Sequence, residues 1–284
     1  MRVIVTGALG YIARQVLPGL SGCELVLTDL HPRPEGEGSP PVHPCDLLTA
    51  PSQDLVRLFQ GCDAVIHCAH VPPRPGASAT TRSTFDSELK NVQIAHRVLE
   101  SALAGGVRRV ILTSSNHAAD WYERPIRQGL RHCVGPETPP RSDNYYGWAK
   151  IAYEALGFLF ACGSLGRPLE VVAIRIGAPR PIRGADFVGR PAAYHRNLGA
   201  YISPRDLQQL YRRALEADTD ALRDEDGVPF QIFYGISNNR RAFWDISNAR
   251  RRIGYAPVDD SEVVFADEIR RFWLPEQARG GDGA

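Results

Sequence analysis

The sequence predicts an α/β fold, a doubly wound parallel sheet followed by a small C-terminal lobe. Three observations carry that prediction. Short apolar runs recur up to Arg175, each separated from the next by a helix-length segment, as in strands buried on both faces of a parallel sheet. The chain opens on one such run, Val3-Ile4-Val5, followed at once by Gly7, Gly10 and a helix-forming stretch from Tyr11 to Leu20. Beyond Arg175 the alternation stops and an arginine-rich, loop-like stretch from Ala178 to Leu198 begins. Strand–helix repetition of this kind implies right-handed crossovers.

Taken in order, the first unit is a strand, a glycine turn and a helix start. Glycine lets the backbone turn tightly and approach a ligand, and free N–H groups at a helix N-terminus attract an anion. The spacing is Gly-x-x-Gly-x-x-Ala, with Ala13 at the third position, which serves close helix–strand packing. The second strand, Glu24 to Thr28, ends at Asp29, 22 residues after Gly7, where a dinucleotide-binding unit places the acid that accepts from ribose hydroxyls. A carboxylate there repels a 2′-phosphate and favours NAD over NADP, while His31 and Arg33 close behind keep NADP open. Pro32 to Pro44 reads as a surface loop. A short strand at Val42–Cys45 leads to Asp46, then a helix over Ala50–Gln60 and a buried strand at Ala64–His67 follow. Val71–Ala79, rich in proline, reads as a loop beside the site. Thr81–Leu103 shows helical spacing at Leu89, Val92, Ala95, Val98, Leu99 and Ala102, stopped by Gly105-Gly106. A strand at Arg109–Thr113 runs into Ser114-Ser115-Asn116-His117, and a helix from Asn144 to Ala161 precedes the sixth strand, Glu170–Arg175. Beyond Leu198, Ser203–Ala217 reads as a helix, Phe230–Tyr234 as a strand, and Ser247–Ile253 and Asp260–Phe272 as helical. The expected division is therefore 1–175 for a nucleotide-binding domain, 176–277 for a lobe interleaved with the sheet, and 278–284 for a disordered tail.

Composition excludes several classes. A net charge of +1 gives no electrostatic reason for nucleic acid or a membrane as partner. No apolar run approaches the ~18–20 residues that span a bilayer, and no signal peptide is evident. The six cysteines are scattered without a C-x-x-C pair, which favours reduced cytoplasmic thiols over disulfides or a metal site. Of 33 basic residues only Lys90 and Lys150 are lysine.

That scarcity sharpens the strongest chemical cue, Tyr146-x-x-x-Lys150. Residues four apart on a helix share a face, so phenol and ammonium point into one space. A phenol alone titrates near ~10 and is a poor base, but a neighbouring cation favours phenolate. Tyr145 pairs only with Ala149 and is not the catalytic phenol. Ser115, Asn116 and His117 stand at a strand's carboxyl end, where ligands bind in such sheets. Ser114 and His67 read as structural.

Several of these residues together resemble an extended short-chain dehydrogenase/reductase of the NAD-dependent epimerase/dehydratase family: Thr6-Gly-Ala-Leu-Gly-Tyr-Ile12, Asp29, Asp46-Leu47, His67-Cys-Ala69, Asn91-Val92 and Tyr146-x-x-x-Lys150. Within it, Ser115-Asn116-His117, Arg175-Ile-Gly177, Arg196-Asn-Leu-x-x-Tyr-Ile-Ser-x-x-Asp206 and Trp244-Asp-x-Ser-x-x-x-x-x-Ile-Gly-Tyr-x-Pro257 are similar to uronate dehydrogenases. The resemblance implies a Rossmann-type sheet and an NAD cofactor. It implies Tyr146 as general base, Lys150 on the nicotinamide ribose, and Ser115, Asn116 and His117 around the substrate. It further implies Asp46 and Leu47 beside the adenine, and Arg196 on a substrate carboxylate, a task for which a planar guanidinium suits. The expected cofactor contacts are Gly7, Leu9, Gly10, Tyr11, Ile12, Asp29, Leu30, Asp46, Leu47, Cys68, Ala69, His70, Tyr146, Lys150 and Ile176. Two departures stand out: Ala178 replaces a substrate-holding serine, and another expected serine falls near Pro72, while Arg74, Arg180, Arg183 and Arg190 enrich the same region.

The expected function is thus an NAD-dependent oxidoreductase moving hydride between a secondary alcohol or hemiacetal of a sugar or sugar-acid-like substrate and nicotinamide. A sugar epimerase with transient oxidation, or a ketoreductase of a specialised metabolite, stands as the alternative; a non-catalytic nucleotide sensor is disfavoured because tyrosine and lysine are both present. The partner expected is a small molecule, and the resemblance implies a homodimer through a four-helix bundle made by the two long helices.

Overall fold

The computed structural model describes residues 1–32 and 40–273, so Arg33 and the expected tail at 278–284 lie outside the described residues. In chain order the elements are β1 (Arg2–Thr6), α1 (Tyr11–Val16), β2 (Glu24–Asp29), β3 (Val42–Pro44), α2 (Ser52–Phe59), β4 (Ala64–His67), α3 (Arg82–Ala104), β5 (Arg109–Ser115), α4 (Glu123–Arg127), α5 (Tyr145–Ala161), β6 (Glu170–Ile176), α6 (Pro191–Ala200), α7 (Pro204–Glu216) and β7 (Phe230–Gly235). Short helical turns complete the chain at Ser247–Ile253 and from Ser261 to Trp273.

All seven strands pair in parallel, in the order β3-β2-β1-β4-β5-β6-β7. The winding reverses between β1 and β4, which opens a crevice outside the carboxyl ends of those strands. The fully buried strand sequences supply both faces. In β1, Val3 and Val5 join the core under α1 and α7, whereas Ile4 joins the one under α2, α3 and α5. The period of two in a strand thus places alternate residues in opposite layers.

The C-terminal part departs from the sequence expectation in two places. Ala178–Leu198 is not a plain loop, because a 3-10 turn at Gly184–Phe187 and α6 lie within it. Pro191 at the first position of α6 sets the helical φ where no N–H is needed. The stretch from Asp260 breaks into three short helical pieces rather than one helix.

The third correction lies in α3. Its buried face runs Thr84, Glu88, Asn91, Ala95, Val98 and Ala102, while Leu89 is 39% exposed. Ala95, Val98, Leu99 and Ala102 are buried as their spacing predicts, but Leu89 turns outward, and three members of the buried stripe, Thr84, Glu88 and Asn91, are polar.

Candidate active site

A cleft of about 1030 Å³ runs along the carboxyl ends of the strands, from Leu30 and Asp46 past the glycine turn to Ser115, Tyr146 and Arg196. At its first end the backbone does most of the shaping. Gly7 has φ +69, and a Cβ there would lie 2.5 Å from the backbone of Ala69, so β1 and β4 can release the turn only with glycine. Gly10 caps α1 with no side-chain acceptor, which leaves the first-turn N–H groups of that helix without a side-chain partner. Asp29 accepts from Leu9 N–H at 2.9 Å and from Leu30 N–H at 2.7 Å. One carboxylate therefore holds the glycine turn against the end of β2, and it still lines the cleft. Asp46 accepts from Leu48 N–H at 2.9 Å and Thr49 Oγ1 at 2.7 Å. The Thr49 hydrogen bond is the first cause of its lowered pKa. Bare helix N–H groups, a glycine cradle and a carboxylate at the end of β2 fit a dinucleotide.

The other end is built from side chains brought together from separate elements. Tyr146 and Lys150 share one face of α5, and Lys150 Nζ lies 5.4 Å from the Tyr146 ring centroid while donating to Thr113 O at 3.1 Å. Burial drives the Lys150 ammonium down to about 8, against the pull of Glu88, Cys68 and Glu154. Burial also pushes the Tyr146 phenol up. The Ser115 hydroxyl and the positive Arg180 oppose that rise, and Glu88 adds to it. The groups that favour phenolate are therefore Ser115 and Arg180, where the sequence pointed to Lys150. Tyr145 turns instead onto Phe85, with ring centroids 5.2 Å apart.

Gly147 explains how α5 comes so near. A Cβ there would fall 2.2 Å from His117 O, so glycine directly after Tyr146 lets the helix start abut the chain leaving β5. Asn144 caps α5 by accepting from Gly147 N–H at 3.0 Å, and its amide donates to Asp120 at 2.6 Å. Asp120 also meets His117 Nδ1 at 2.8 Å. Burial pushes Asp120 up, but hydrogen bonds from His117, Ser142 and Asn144 outweigh it and hold the carboxyl below its ordinary range. His117, T-shaped to the Tyr146 ring at 5.5 Å, is thereby oriented with its other nitrogen out of that pair.

Other expected residues fall less simply. Leu9, Tyr11, Ile12, Leu47, Cys68, Ala69, His70 and Ile176 all line the cleft. Asn116 does not: it is 1% exposed, and its Nδ2 lacks an acceptor among the described residues. Ala178 reaches the cleft with a methyl only, its backbone bridging to α6 through Ala200 O and Ile202 N–H. Arg196 reaches it too, but Nε already donates to Glu123 at 2.8 Å. Ser114 donates to Glu154 at 2.7 Å and His67 Nδ1 meets Thr6 Oγ1 at 2.8 Å. Burial, with Lys150 and His70 adding to it, holds His67 neutral, with a pKa of about 3.

The supports beneath the site carried no role in the sequence, although Asn91 and Arg175 stand in its motifs and Arg180 in its arginine-rich stretch. Asn91 clamps the chain after β4, accepting from Val71 N–H at 2.7 Å and donating to Val71 O at 3.0 Å and Glu88 at 3.1 Å. Glu88, buried in the same stripe, lies 4.0 Å from His70. The signal was present: polar residues at core spacing in a helix are placed there for hydrogen bonds. Glu154 and Arg175 form a bidentate pair at 2.7 and 2.8 Å, fixing α5 to β6. Arg180, stacked 5.2 Å from the Tyr11 ring, completes the list.

Comparison with known proteins agrees with this geometry. The model of the NAD dependent epimerase/dehydratase family matches residues 3–161. The chain is 31% identical to the L-arabinose 1-dehydrogenase (NAD(P)(+)) of Haloferax volcanii, over 93% of this chain and 98% of that protein. It is 32% identical to the uronate dehydrogenase of Pseudomonas putida, over 93% and 87%. The crystal structure of uronate dehydrogenase from Agrobacterium tumefaciens superposes with a TM-score of 0.72 at 25% identity, covering 95% of this chain and 88% of that one.

Proposed function

The chain belongs to the NAD-dependent epimerase/dehydratase family, and from that premise we propose that it is an NAD-dependent dehydrogenase acting on a sugar. One observation carries the reading. Tyr146 and Ser115 line one end of a cleft whose other end is the Gly7–Gly10 turn and Asp29, and Lys150, which is buried and does not itself line the cleft, lies 5.4 Å from the Tyr146 ring centroid. The relatives support it, since those with at least 30% identity over nearly the whole chain are named as dehydrogenases of arabinose, uronate or glucose 6-phosphate.

In this reading Gly7, Gly10 and the start of α1 hold the NAD diphosphate, Asp29 the adenosine ribose, and Asp46 and Leu47 the adenine edge. Lys150, anchored to Thr113 O, serves the nicotinamide ribose. NAD, when bound, supplies the hydride acceptor. Tyr146 takes the proton of the substrate hydroxyl as hydride leaves the same carbon, and Ser115 steadies that oxygen. His117, braced by Asp120, orients the adjacent hydroxyl. Asn116, behind the cleft wall, supports the chain leaving β5. Asp29 favours NAD over NADP by repelling a 2′-phosphate.

The proposal extends to the assembly. Leu89 on α3 and Trp148, Phe158 and Leu159 on α5 are 38–44% exposed, an apolar surface on the two long helices that suits a homodimer through a four-helix bundle. No described helix is long and apolar enough to cross a membrane, and we place the enzyme in the cytoplasm. The two-part division near residue 175, with the cofactor before it and most substrate contacts after it, belongs to the same reading.

The test is net reduction of NAD with aldoses and uronic acids, followed at the NADH absorbance band. A dehydrogenase accumulates NADH in step with substrate consumed. Substrate conversion with no net NADH would point to epimerisation instead.

A further inference from the structure

We propose that the substrate end facing Arg196 is uncharged, so that the enzyme takes neutral aldoses in preference to the corresponding uronates. The inference rests on the sugar dehydrogenase reading and concerns the same cleft.

Arg196 is the guanidinium on the substrate wall of the cleft, and it also lines a smaller cavity of about 350 Å³ that opens beside His117. Its charge is already matched. Nε donates to Glu123 Oε1 at 2.8 Å, and Nη2 lies 2.7 Å from the same oxygen. The two side chains are only 15% and 13% exposed, so the pair sits largely out of water. On another side the guanidinium lies 5.3 Å from the ring of Trp244, itself 2% exposed. Carboxylate and aromatic together hold the arginine in place.

A substrate carboxylate would have to compete with Glu123 for that guanidinium. Success would leave Glu123 buried and facing a second anion, and breaking a buried pair in this way is strongly unfavourable. The smaller cavity carries no net positive charge, since it sets Asp120, Glu123 and Asp143 against Arg124, Arg127 and Arg196. Arg180, the other cation on the cleft wall, stacks 5.2 Å from the Tyr11 ring and acts on the Tyr146 phenol.

A hydroxyl group meets no such obstacle. Nη2 of Arg196 is buried without a well-aligned acceptor among the described residues. A neutral hydroxyl can accept from the Nη2 hydrogen that Glu123 does not meet, while Glu123 keeps its place. The methyl of Ala178 on the same wall adds no donor for a carboxylate.

The experiment compares kcat/KM with NAD for two matched pairs, D-galactose against D-galacturonate and D-glucose against D-glucuronate. The members of each pair differ in a CH2OH or a carboxylate at one carbon. The wild-type enzyme is expected to favour the aldose by at least about tenfold, a factor set by the unfavourable displacement of Glu123. Glu123→Gln keeps the shape and frees the guanidinium charge, and is expected to move the ratio towards the uronate by at least about tenfold. Preference of the wild type for uronates overturns the inference while leaving the dehydrogenase reading intact, and it does so without relying on the variant's folding. An unchanged ratio in a folded Glu123→Gln protein overturns it as well. NADH formation with neither class, aldose nor uronate, would overturn the dehydrogenase reading and this inference together.

Discussion

The two ends of the cleft are made by different means. The nucleotide end comes from contiguous sequence, β1 through β2, and its shape is a backbone shape: a positive-φ glycine, bare helix N–H groups and one carboxylate that ties the turn to its neighbour. The reaction end gathers side chains from β5, α5, α6 and the chain between β6 and α6, and each is set by a partner behind it. Asp120 orients His117, Thr113 anchors Lys150, and Glu123 occupies Arg196. The first end recognises a part common to every dinucleotide. In the proposal for Arg196, the second changes its substrate preference through one supporting residue, Glu123.

This contrast can be broken at either end. The largest effect is expected at Gly7. Gly7→Ala would strain a positive φ and drive a methyl to within 2.5 Å of the Ala69 backbone. Calorimetric titration should detect no NAD binding, and Tm should fall. Asp29→Ala is milder, removing the acceptor for Leu9 and Leu30 N–H. KM for NAD is expected to rise about tenfold, in line with loss of a charged hydrogen bond, and the preference over NADP to shrink. kcat should hardly move, because the reaction end is untouched.

A smaller effect, in the stability rather than the rate, is expected at Lys150. Its pKa falls from the ordinary 10.5 to about 8 because the ammonium is buried. Below pH 8 both folded and unfolded chains are protonated, and the full penalty for burying the charge is present. Between pH 8 and the ordinary lysine value the unfolded chain binds more protons, so stability rises with pH through that window. Lys150→Met should therefore melt several degrees above the wild type at pH 7, although it is inactive. That advantage should narrow as pH climbs past 8; a constant gap would show that the ammonium is not buried as described.

The same contrast explains how much was legible in the sequence. The sheet, the glycine turn, Asp29 and the Tyr146–Lys150 pair depend on spacing along the chain, and spacing is visible. The buried face at the start of α3 was not, since Leu89 fits the apolar spacing yet is exposed while Glu88 and Asn91 occupy the core register. Only the hydrogen bonds of Asn91 to Val71 show why polar residues belong there. Glu123 was invisible for a different reason. It lies 73 residues from Arg196 along the chain, and no periodicity connects α4 to α6. Nor could spacing show that burial pushes the Tyr146 phenol up, with the Ser115 hydroxyl and Arg180 opposing that rise.

In the proposed function, Tyr146 performs the proton transfer in a cleft whose nucleotide end works independently. The most direct measurement pairs the turnover of Tyr146→Phe on the wild type's best sugar with its Kd for NAD by titration calorimetry. kcat is expected to fall on the order of a thousandfold, as for loss of a general acid–base, with Kd within about twofold of wild type for want of any change at the glycine turn. A variant that keeps near-normal turnover would contradict that role for Tyr146.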